Sequence, residues 1–329
     1  MIITQTPLRI SFAGGGTDFR EFWQKHGGCV VNSAIDKYVY VIIKERFDDL
    51  IVLNYSKREI VKTVDEINHD LLRESMKKTG VEKGVEITTL ADIPSEGSGL
   101  GSSSSITVGF LHAMYTYQGE LVTAERLARE ACEIEIDILG SPIGMQDQYI
   151  AAYGGIKSFN FNKDGEIRVE ALNLAPWDQL ILSSRLLLFY LNRTRKANTI
   201  LKEQWSNIDQ KTDILIRMRD LAFDLRYNLN AESLDILGKV MDKGWMLKKT
   251  LASRISDPEI DALYKRALDA GALGGKVAGA GGGGFLLLYV PRDKQDGLRK
   301  SLGRLRELPF MIDLDGSKVI FNNRSRKWK

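Results

Sequence analysis

The chain has 329 residues, of which 43% are hydrophobic and 27% charged, and this composition is ordinary for a globular protein with one large domain or two. A formal net charge of +3 is too small to indicate a nucleic-acid partner. Two cysteines and three scattered histidines lack metal or redox spacing, which excludes a zinc or disulfide framework.

Membrane and export signals are also missing from the sequence. The longest apolar run, residues 186–191, is far too short to cross a bilayer, and the N-terminus runs directly into strand-like sequence. The basic residues 324–329 are better explained as a solvated terminus than as a binding surface. We therefore expect a cytoplasmic protein with no nucleic-acid or membrane partner.

The first ninety residues predict a mixed sheet with few helices. Strand patterns cover residues 8–13, 30–35, 38–43 and 50–53. Asp18 follows three glycines and is a plausible N-cap for a short amphipathic helix over residues 19–25. A helix over 68–79 precedes a strand over 85–90.

A glycine- and serine-rich segment, residues 94–105, separates that strand from a helix predicted over 106–117. Glycines let backbone amides approach an anion closely, and a helix N-terminus offers unpaired N–H groups. The segment is therefore either a phosphate cradle or an ordinary polar linker. The segment alone does not decide between them.

The remaining chain alternates between helices and strands without a strict βαβ order. Helical spacing extends to residue 139, a Gly/Pro turn opens a short helix near 146, and two strands between 154 and 172 predict a hairpin. Several helices follow up to 270, then strands over 285–290 and 318–321 around a charged helix over 293–306. This mixture predicts an α+β fold, with domains over 1–176 and 177–329.

A third glycine cluster lies at residues 274–284. It satisfies G-x-G-x-x-G formally, but a strand follows where a dinucleotide site needs a helix, and the Walker spacing also fails. A tight loop between strands explains one or two glycines. So many consecutive ones indicate a close backbone approach.

Together, three segments resemble the motifs of the GHMP kinases, in family order. They are P-L-R-I-S-F-A-G-G-G-T-D at 7–18, G-L-G-S-S-S at 99–104 and K-V-A-G-A-G-G-G-G-F at 276–285. The resemblance implies a ribosomal-protein-S5-like first half, a ferredoxin-like second half and ATP as phosphoryl donor. The G-G-G-T-D element resembles sugar-1-kinases, heptose 7-phosphate kinases most closely and L-fucokinase more distantly.

The resemblance also implies roles for individual residues. The ATP phosphates would lie against the second motif, comprising Gly97, Gly99, Leu100, Gly101, Ser102, Ser103 and Ser104. Ser103 and Glu135 would bind Mg²⁺, with Glu133 and Asp137 as competing acids on the same helix. One departure is an extra residue before Gly99, which places Glu96 near the phosphates.

Asp147 occupies the family's catalytic position, as general base or orienter of the sugar hydroxyl, although an aspartate there could also be a helix cap. Arg9 would keep Asp147 ionised and offset charge on the transferred group. Gly15, Gly16, Thr17 and Asp18 would bind sugar hydroxyls. Gly281 and Gly282 would close over the substrate.

Arg193, Arg195 and Lys196 are the candidates for binding a substrate phosphate, or else form a solvated basic turn. We expect phosphorylation of O1 of a small-molecule sugar phosphate, D-glycero-D-manno-heptose 7-phosphate. A free-sugar 1-kinase and a non-catalytic sensor on the same fold are the alternatives. The oligomeric state is left open, a homodimer included.

Overall fold

A mixed eight-stranded sheet, counted over the described residues 1–93, 97–172, 174–193 and 197–323 of this computed structural model, dominates the first half of the chain. Its strand order is β12-β1-β2-β5-β3-β4, and β6 and β7 extend it from the first half of β2. The strands are β1 (Ile2–Ala13), β2 (Gly28–Glu45), β3 (Ile51–Asn54), β4 (Arg58–Val61), β5 (Val85–Ala91), β6 (Ile156–Phe161), β7 (Ile167–Ala171) and β12 (Lys318–Asn322).

A smaller antiparallel sheet belongs to the second half of the chain, with the order β11-β8-β10-β9. Its strands are β8 (Leu186–Tyr190), β9 (Gly274–Val277), β10 (Phe285–Tyr289) and β11 (Arg306–Leu308). The helices are α1 (Arg20–His26), α2 (Asp70–Thr79), α3 (Ser102–Gln118), α4 (Ala124–Cys132), α5 (Gln146–Tyr153), α6 (Pro176–Ser183), α7 (Ala197–Ser206), α8 (Thr212–Asn228), α9 (Ile236–Lys248), α10 (Pro258–Asp269) and α11 (Gln295–Ser301).

The long strand β2 joins two runs that the sequence pattern separates. Val39, Val41 and Ile43 alternate with half-buried residues, as expected for a strand with one face on a core. Val41 and Ile43 pack with Phe110 of α3 and Met76 of α2. This packing holds α3 against the sheet and so positions its N-terminus.

One hydrophobic cluster connects the two sheets. It contains Leu8 and Ile10 of β1, Leu188 of β8 and Leu287 of β10, together with Leu237 of α9. Because buried side chains pack at high density, this shared core holds the two sheets in a defined arrangement. The glycine-rich segments of both halves are thereby brought to the same cleft.

The predicted α+β fold class is confirmed, whereas several local predictions need correction. Helix α3 begins at Ser102 and not at residue 106. The predicted helix over 293–306 is too long: α11 ends at Ser301, and β11 begins at Arg306. Asp18 is not an N-cap: Phe19 precedes α1, without a side-chain cap.

The division at residues 176 and 177 remains a prediction. Strand β12, from the second predicted domain, pairs antiparallel with β1 of the first sheet. Across the described chain, no helix has the combined length and hydrophobicity of a membrane span.

The segment leading into β12 packs tightly against the end of α5. The Gly155 and Ser317 amides donate hydrogen bonds to the Asp313 and Ala151 carbonyl oxygens, at 3.0 and 2.9 Å. A Cβ atom on Gly316 would overlap the carbonyl oxygen of Ala152. Glycine at this position therefore permits the backbones to approach.

Substituting Gly316→Ala should lower the free energy of unfolding by about 1–3 kcal/mol, the usual range for an overpacked site. Gly244→Ala is the matched control, because a Cβ on Gly244, within α9, meets nothing within 4 Å. That change should stabilise the protein by about 0.5–1 kcal/mol, since alanine is the better helix former. Urea unfolding measures both, and equal effects would contradict the packing described here.

Candidate active site

Arg9 and Asp147 form a two-bonded ion pair at one end of the cleft. Arg9 Nε donates to Asp147 Oδ1 at 2.7 Å and Nη2 donates to Oδ2 at 2.5 Å. The Arg9 side chain is almost fully buried, whereas the Asp147 side chain is 22% exposed and lines the cleft. The pair therefore presents an oriented carboxylate to the cleft.

The same guanidinium also reaches the glycine-rich segment. Arg9 Nη1 donates to the Gly99 carbonyl oxygen at 2.5 Å, and the Arg9 amide donates to the Leu100 carbonyl at 2.9 Å. Gly101 has φ of 79°, and a Cβ there would lie 3.0 Å from Arg9 Cγ. Glycine at 101 thus provides both the left-handed backbone and the space for Arg9.

The N-terminus of α3 opens into the cleft directly after Gly101. No side chain caps this helix terminus, and Ser102, Ser103 and Ser104 line the cleft. The first-turn N–H groups of a helix have no partner within the helix and favour anions. This arrangement favours the phosphate-cradle interpretation over the linker interpretation.

The third glycine cluster lies against the second. A Cβ on Gly279 would lie 2.6 Å from Gly99 Cα, and one on Gly99 would lie 2.6 Å from the Ala278 carbonyl oxygen. A Cβ on Gly284 would overlap the Ser98 carbonyl oxygen. These glycines are therefore required by backbone-to-backbone contact between two loops.

Glu135 and Ser103 could together hold a divalent cation. Ser103 Oγ donates to Glu135 Oε1 at 2.8 Å, and Gln148 Nε2 donates to Oε2 at 2.7 Å. Burial raises the pKa of Glu135 to about 7, despite the hydrogen bonds that it accepts. A carboxylate and a hydroxyl beside a phosphate site are oxygen ligands that fit Mg²⁺.

The two competing acids do not line the cleft. Glu133 accepts a hydrogen bond from Lys78 Nζ at 2.7 Å, and Asp137 pairs with Arg20 at 2.5 Å. Glu135 alone of the three is fully buried beside Ser103. The π-helical stretch Glu133–Ile138 directs these acids to different surroundings.

Asp18 lines the same cleft and links the first motif to the start of α5. Its two oxygens accept hydrogen bonds from the Gly16 amide at 2.9 Å and the Gln146 amide at 3.1 Å. Burial raises the pKa of Asp18. A Cβ on Gly144 would overlap this carboxylate, so glycine at 144 makes room for it.

Two buried lysines line the cleft that the sequence did not predict as site residues. Lys248 ends α9 and Lys276 lies in β9, and each is only 5% exposed. Lys276 begins the third motif, which was a usable signal, whereas nothing in the local sequence around Lys248 marks it.

The cleft has a volume of about 730 Å³. It brings together most of the predicted site residues from both halves of the chain. The lining includes Arg9, Gly15, Gly16, Asp18, Gly97, Gly99, Gly101, Ser102, Ser103, Ser104, Glu135 and Asp147, with Ser98, Gln146, Asn198, Gln204, Lys248, Lys276 and Gly279 in addition.

Some predicted site residues do not line the cleft. The Thr17 hydroxyl donates to the Cys29 carbonyl at 2.9 Å and accepts from the Cys29 amide at 3.2 Å, so it joins two backbone segments. Leu100 is fully buried in the core, and Gly281 and Gly282 pack against Ile255. These placements argue for structural roles.

The predicted phosphate-binding turn receives little support. Arg193 Nη1 pairs with Asp257 at 3.0 Å and Glu259 at 3.2 Å, away from the cleft. Arg195, Lys196 and Glu96 lie outside the described residues.

Comparison with known proteins identifies the family of this chain. The profile of the GHMP kinases N terminal domain matches residues 54–155, and that of the GHMP kinases C terminal domain matches residues 225–305. A D-glycero-alpha-D-manno-heptose 7-phosphate kinase from Campylobacter jejuni is 30% identical over 94% of this chain and 96% of its own length.

Two further relatives extend the comparison. An L-fucokinase/L-fucose-1-P guanylyltransferase from Bacteroides fragilis is 29% identical over 90% of this chain, but over only 35% of its own length. A crystal structure of a D-glycero-D-manno-heptose 1-phosphate kinase from Bacteroides thetaiotaomicron superimposes with a TM-score of 0.81 at 25% identity, over 99% of this chain and 100% of that one. The chain therefore belongs to the GHMP kinase family of phosphotransferases.

Proposed function

We propose that this protein is an ATP-dependent sugar kinase that phosphorylates the anomeric O1 of D-glycero-D-manno-heptose 7-phosphate. The observation that carries the proposal is the Asp147 carboxylate, oriented by Arg9 in the cleft that the N-terminus of α3 also enters. A base for an acceptor hydroxyl and a cradle for phosphates are thereby combined in one cleft. The similarity to heptose phosphate kinases supports this acceptor class.

Donor binding relies on the α3 terminus. The amides of Ser102, Ser103 and Ser104 bind the β- and γ-phosphates, because a helix N-terminus attracts negative charge. Ser103 and Glu135 hold Mg²⁺, which when bound neutralises charge on the phosphate oxygens. The protein otherwise contributes by positioning the two reactants and by stabilising the charge of the transition state.

Asp147 accepts the proton of the acceptor hydroxyl. An anomeric hydroxyl is more acidic than an ordinary alcohol, so a carboxylate is a sufficient base. Arg9 fixes the carboxylate through two hydrogen bonds and offsets charge that develops on the transferred group. Gly15, Gly16 and Asp18, which line the same cleft, bind the hydroxyls of the sugar acceptor.

A free-sugar 1-kinase is the second candidate. Arg193, proposed to bind the acceptor phosphate, is engaged by Asp257 and Glu259 outside the cleft, and an L-fucokinase is among the relatives. A non-catalytic sensor is disfavoured, because it would not need Arg9, Ser103, Glu135 and Asp147 together.

ADP release with Mg²⁺·ATP should be fastest with D-glycero-D-manno-heptose 7-phosphate in a panel of phosphorylated and free sugars. The physical reason is that the acceptor phosphate adds binding energy that the free sugar lacks. ³¹P NMR of the product should locate the new phosphate on C1. Faster turnover of L-fucose, or a phosphate on another carbon, would contradict the assignment.

Asp147→Asn should lower kcat by about 10²–10⁴-fold, the usual contribution of a general base. Binding of a nonhydrolysable ATP analogue should be retained, because Asp147 does not contact the phosphate cradle. Asp137→Asn is the control, since that acid forms a surface pair with Arg20. Unchanged turnover in Asp147→Asn would remove the proposed base.

Glu135→Gln should raise the Mg²⁺ concentration needed for half-maximal rate by about 10- to 100-fold, as disturbed metal sites commonly do. The neutral amide keeps the shape of the side chain but lacks the charge that binds the cation. Glu133→Gln, at the surface beside Lys78, should leave the Mg²⁺ titration unchanged. Equal titrations for the two variants would argue against Glu135 as a ligand.

A further inference from the structure

Lys276 is a buried cation to which the donor, metal and base described above assign no role. It lies in β9, is 5% exposed and lines the cleft. Within the described part of the chain, its ammonium group makes no hydrogen bond and no ion pair, although the charges of Asp18 and Asp147 attract it from a longer distance. Burying an ammonium without a partner is costly, so a fold that keeps one in a cleft favours an anionic ligand there.

Lys248 is a second buried cation in the same cleft. It enters from the end of α9, and its ammonium donates to the Gly279 carbonyl oxygen. This carbonyl is neutral, so the positive charge of Lys248 is not compensated by it. Burial and the charge on Arg9 lower the pKa of Lys248 to about 8, and burial with Lys248 nearby lowers the pKa of Lys276.

Asp18 and Asp147 attract both lysines electrostatically, but neither acid forms an ion pair with them in the described part of the chain. Asp147 is already paired with Arg9 through both oxygens. Asp18 accepts hydrogen bonds from two backbone amides, and its raised pKa shows that burial disfavours its charge. Three cations, Arg9, Lys248 and Lys276, therefore outnumber the two acids, Asp18 and Asp147, in this part of the cleft.

The backbone around Lys276 is rigid. β9 is paired with β10, opposite Leu287, and the loop that follows β9 packs on Gly97–Gly99. The lysine is therefore held at a set position relative to both the phosphate cradle and Asp147. Such preorganisation lowers the cost of binding an anion.

We propose that Lys276 and Lys248 form a phosphate-binding subsite within the cleft. The subsite deepens the proposed kinase function and rests on it for the origin of the phosphate. The group bound is either the γ-phosphoryl of the nucleotide or the phosphate of the sugar acceptor. Both are compact dianions that two ammonium groups can bind as point charges.

The test uses Lys276→Met and Lys248→Met, with Lys239→Met as control on the exposed face of α9. Calorimetry compares a nonhydrolysable ATP analogue with ADP, both with Mg²⁺, and D-glycero-D-manno-heptose 7-phosphate with the unphosphorylated heptose. If the subsite binds the γ-phosphoryl, Lys276→Met weakens the ATP analogue about 10- to 100-fold and ADP hardly at all. If it binds the acceptor phosphate, only the phosphorylated heptose is weakened by that factor.

A second measurement separates a ligand subsite from a purely structural lysine. Without ligand, Lys276→Met should raise Tm by ~2–4 °C, because a buried uncompensated charge is removed. Millimolar inorganic phosphate should then raise the Tm of the wild type and of Lys239→Met, but not of Lys276→Met. A lysine needed only for folding would lower Tm when replaced.

Unchanged binding of all four ligands by a folded Lys276→Met variant overturns the subsite. A lower Tm without ligand also overturns it. The wild type could fail to release ADP with any sugar and still bind the ATP analogue more tightly than Lys276→Met does. That result overturns the proposed acceptor but supports the subsite.

Discussion

The Arg9 guanidinium connects the three segments on which the cleft depends. It contacts Asp147 at the start of α5, the carbonyl of Gly99 and, through its stem, the space left by Gly101. Arg9 lies in the buried part of β1, where it pairs with Ala34 of β2, so its backbone is held within the first sheet. The Asp147 carboxylate and the loop before α3 are therefore both positioned by the same side chain.

Contact between two loops requires glycine at three positions of the second and third motifs. The backbones of Gly99 and Gly279 are in direct contact, and Gly284 leaves room for the Ser98 carbonyl. These contacts join a loop of the first half to a loop of the second half. A side chain at any of these positions would separate the two walls of the cleft, so the glycines maintain its width.

Much of the cleft could be predicted because its motifs are local in sequence. Arg9, Asp147, Glu135 and the residues from Gly99 to Ser104 were assigned from the resemblance to the family motifs, and all of them except Leu100 line one cavity. The structural contacts of Thr17 and Arg193 could not be predicted from motifs. Their partners, Cys29 and Asp257, are distant in sequence or belong to no motif. Lys248 could not be predicted for the same reason, because only tertiary packing places it in the cleft. Likewise, β2 is one strand where the sequence shows two patterns, because β1 pairs with it on both sides of residues 36 and 37, from Val31 to Ile43.

The return of β12 to the first sheet couples the beginning of the chain to its far end. Met1 and Asn323 exchange backbone hydrogen bonds, at 3.1 and 2.9 Å. During synthesis on the ribosome, the edge of β1 that pairs with β12 stays unpaired until residues 318–322 emerge. Open edges invite incorrect pairing, so the nascent chain is exposed to aggregation for most of its synthesis. β1 is the first strand to be synthesised, but its pairing with β12 is the last to form.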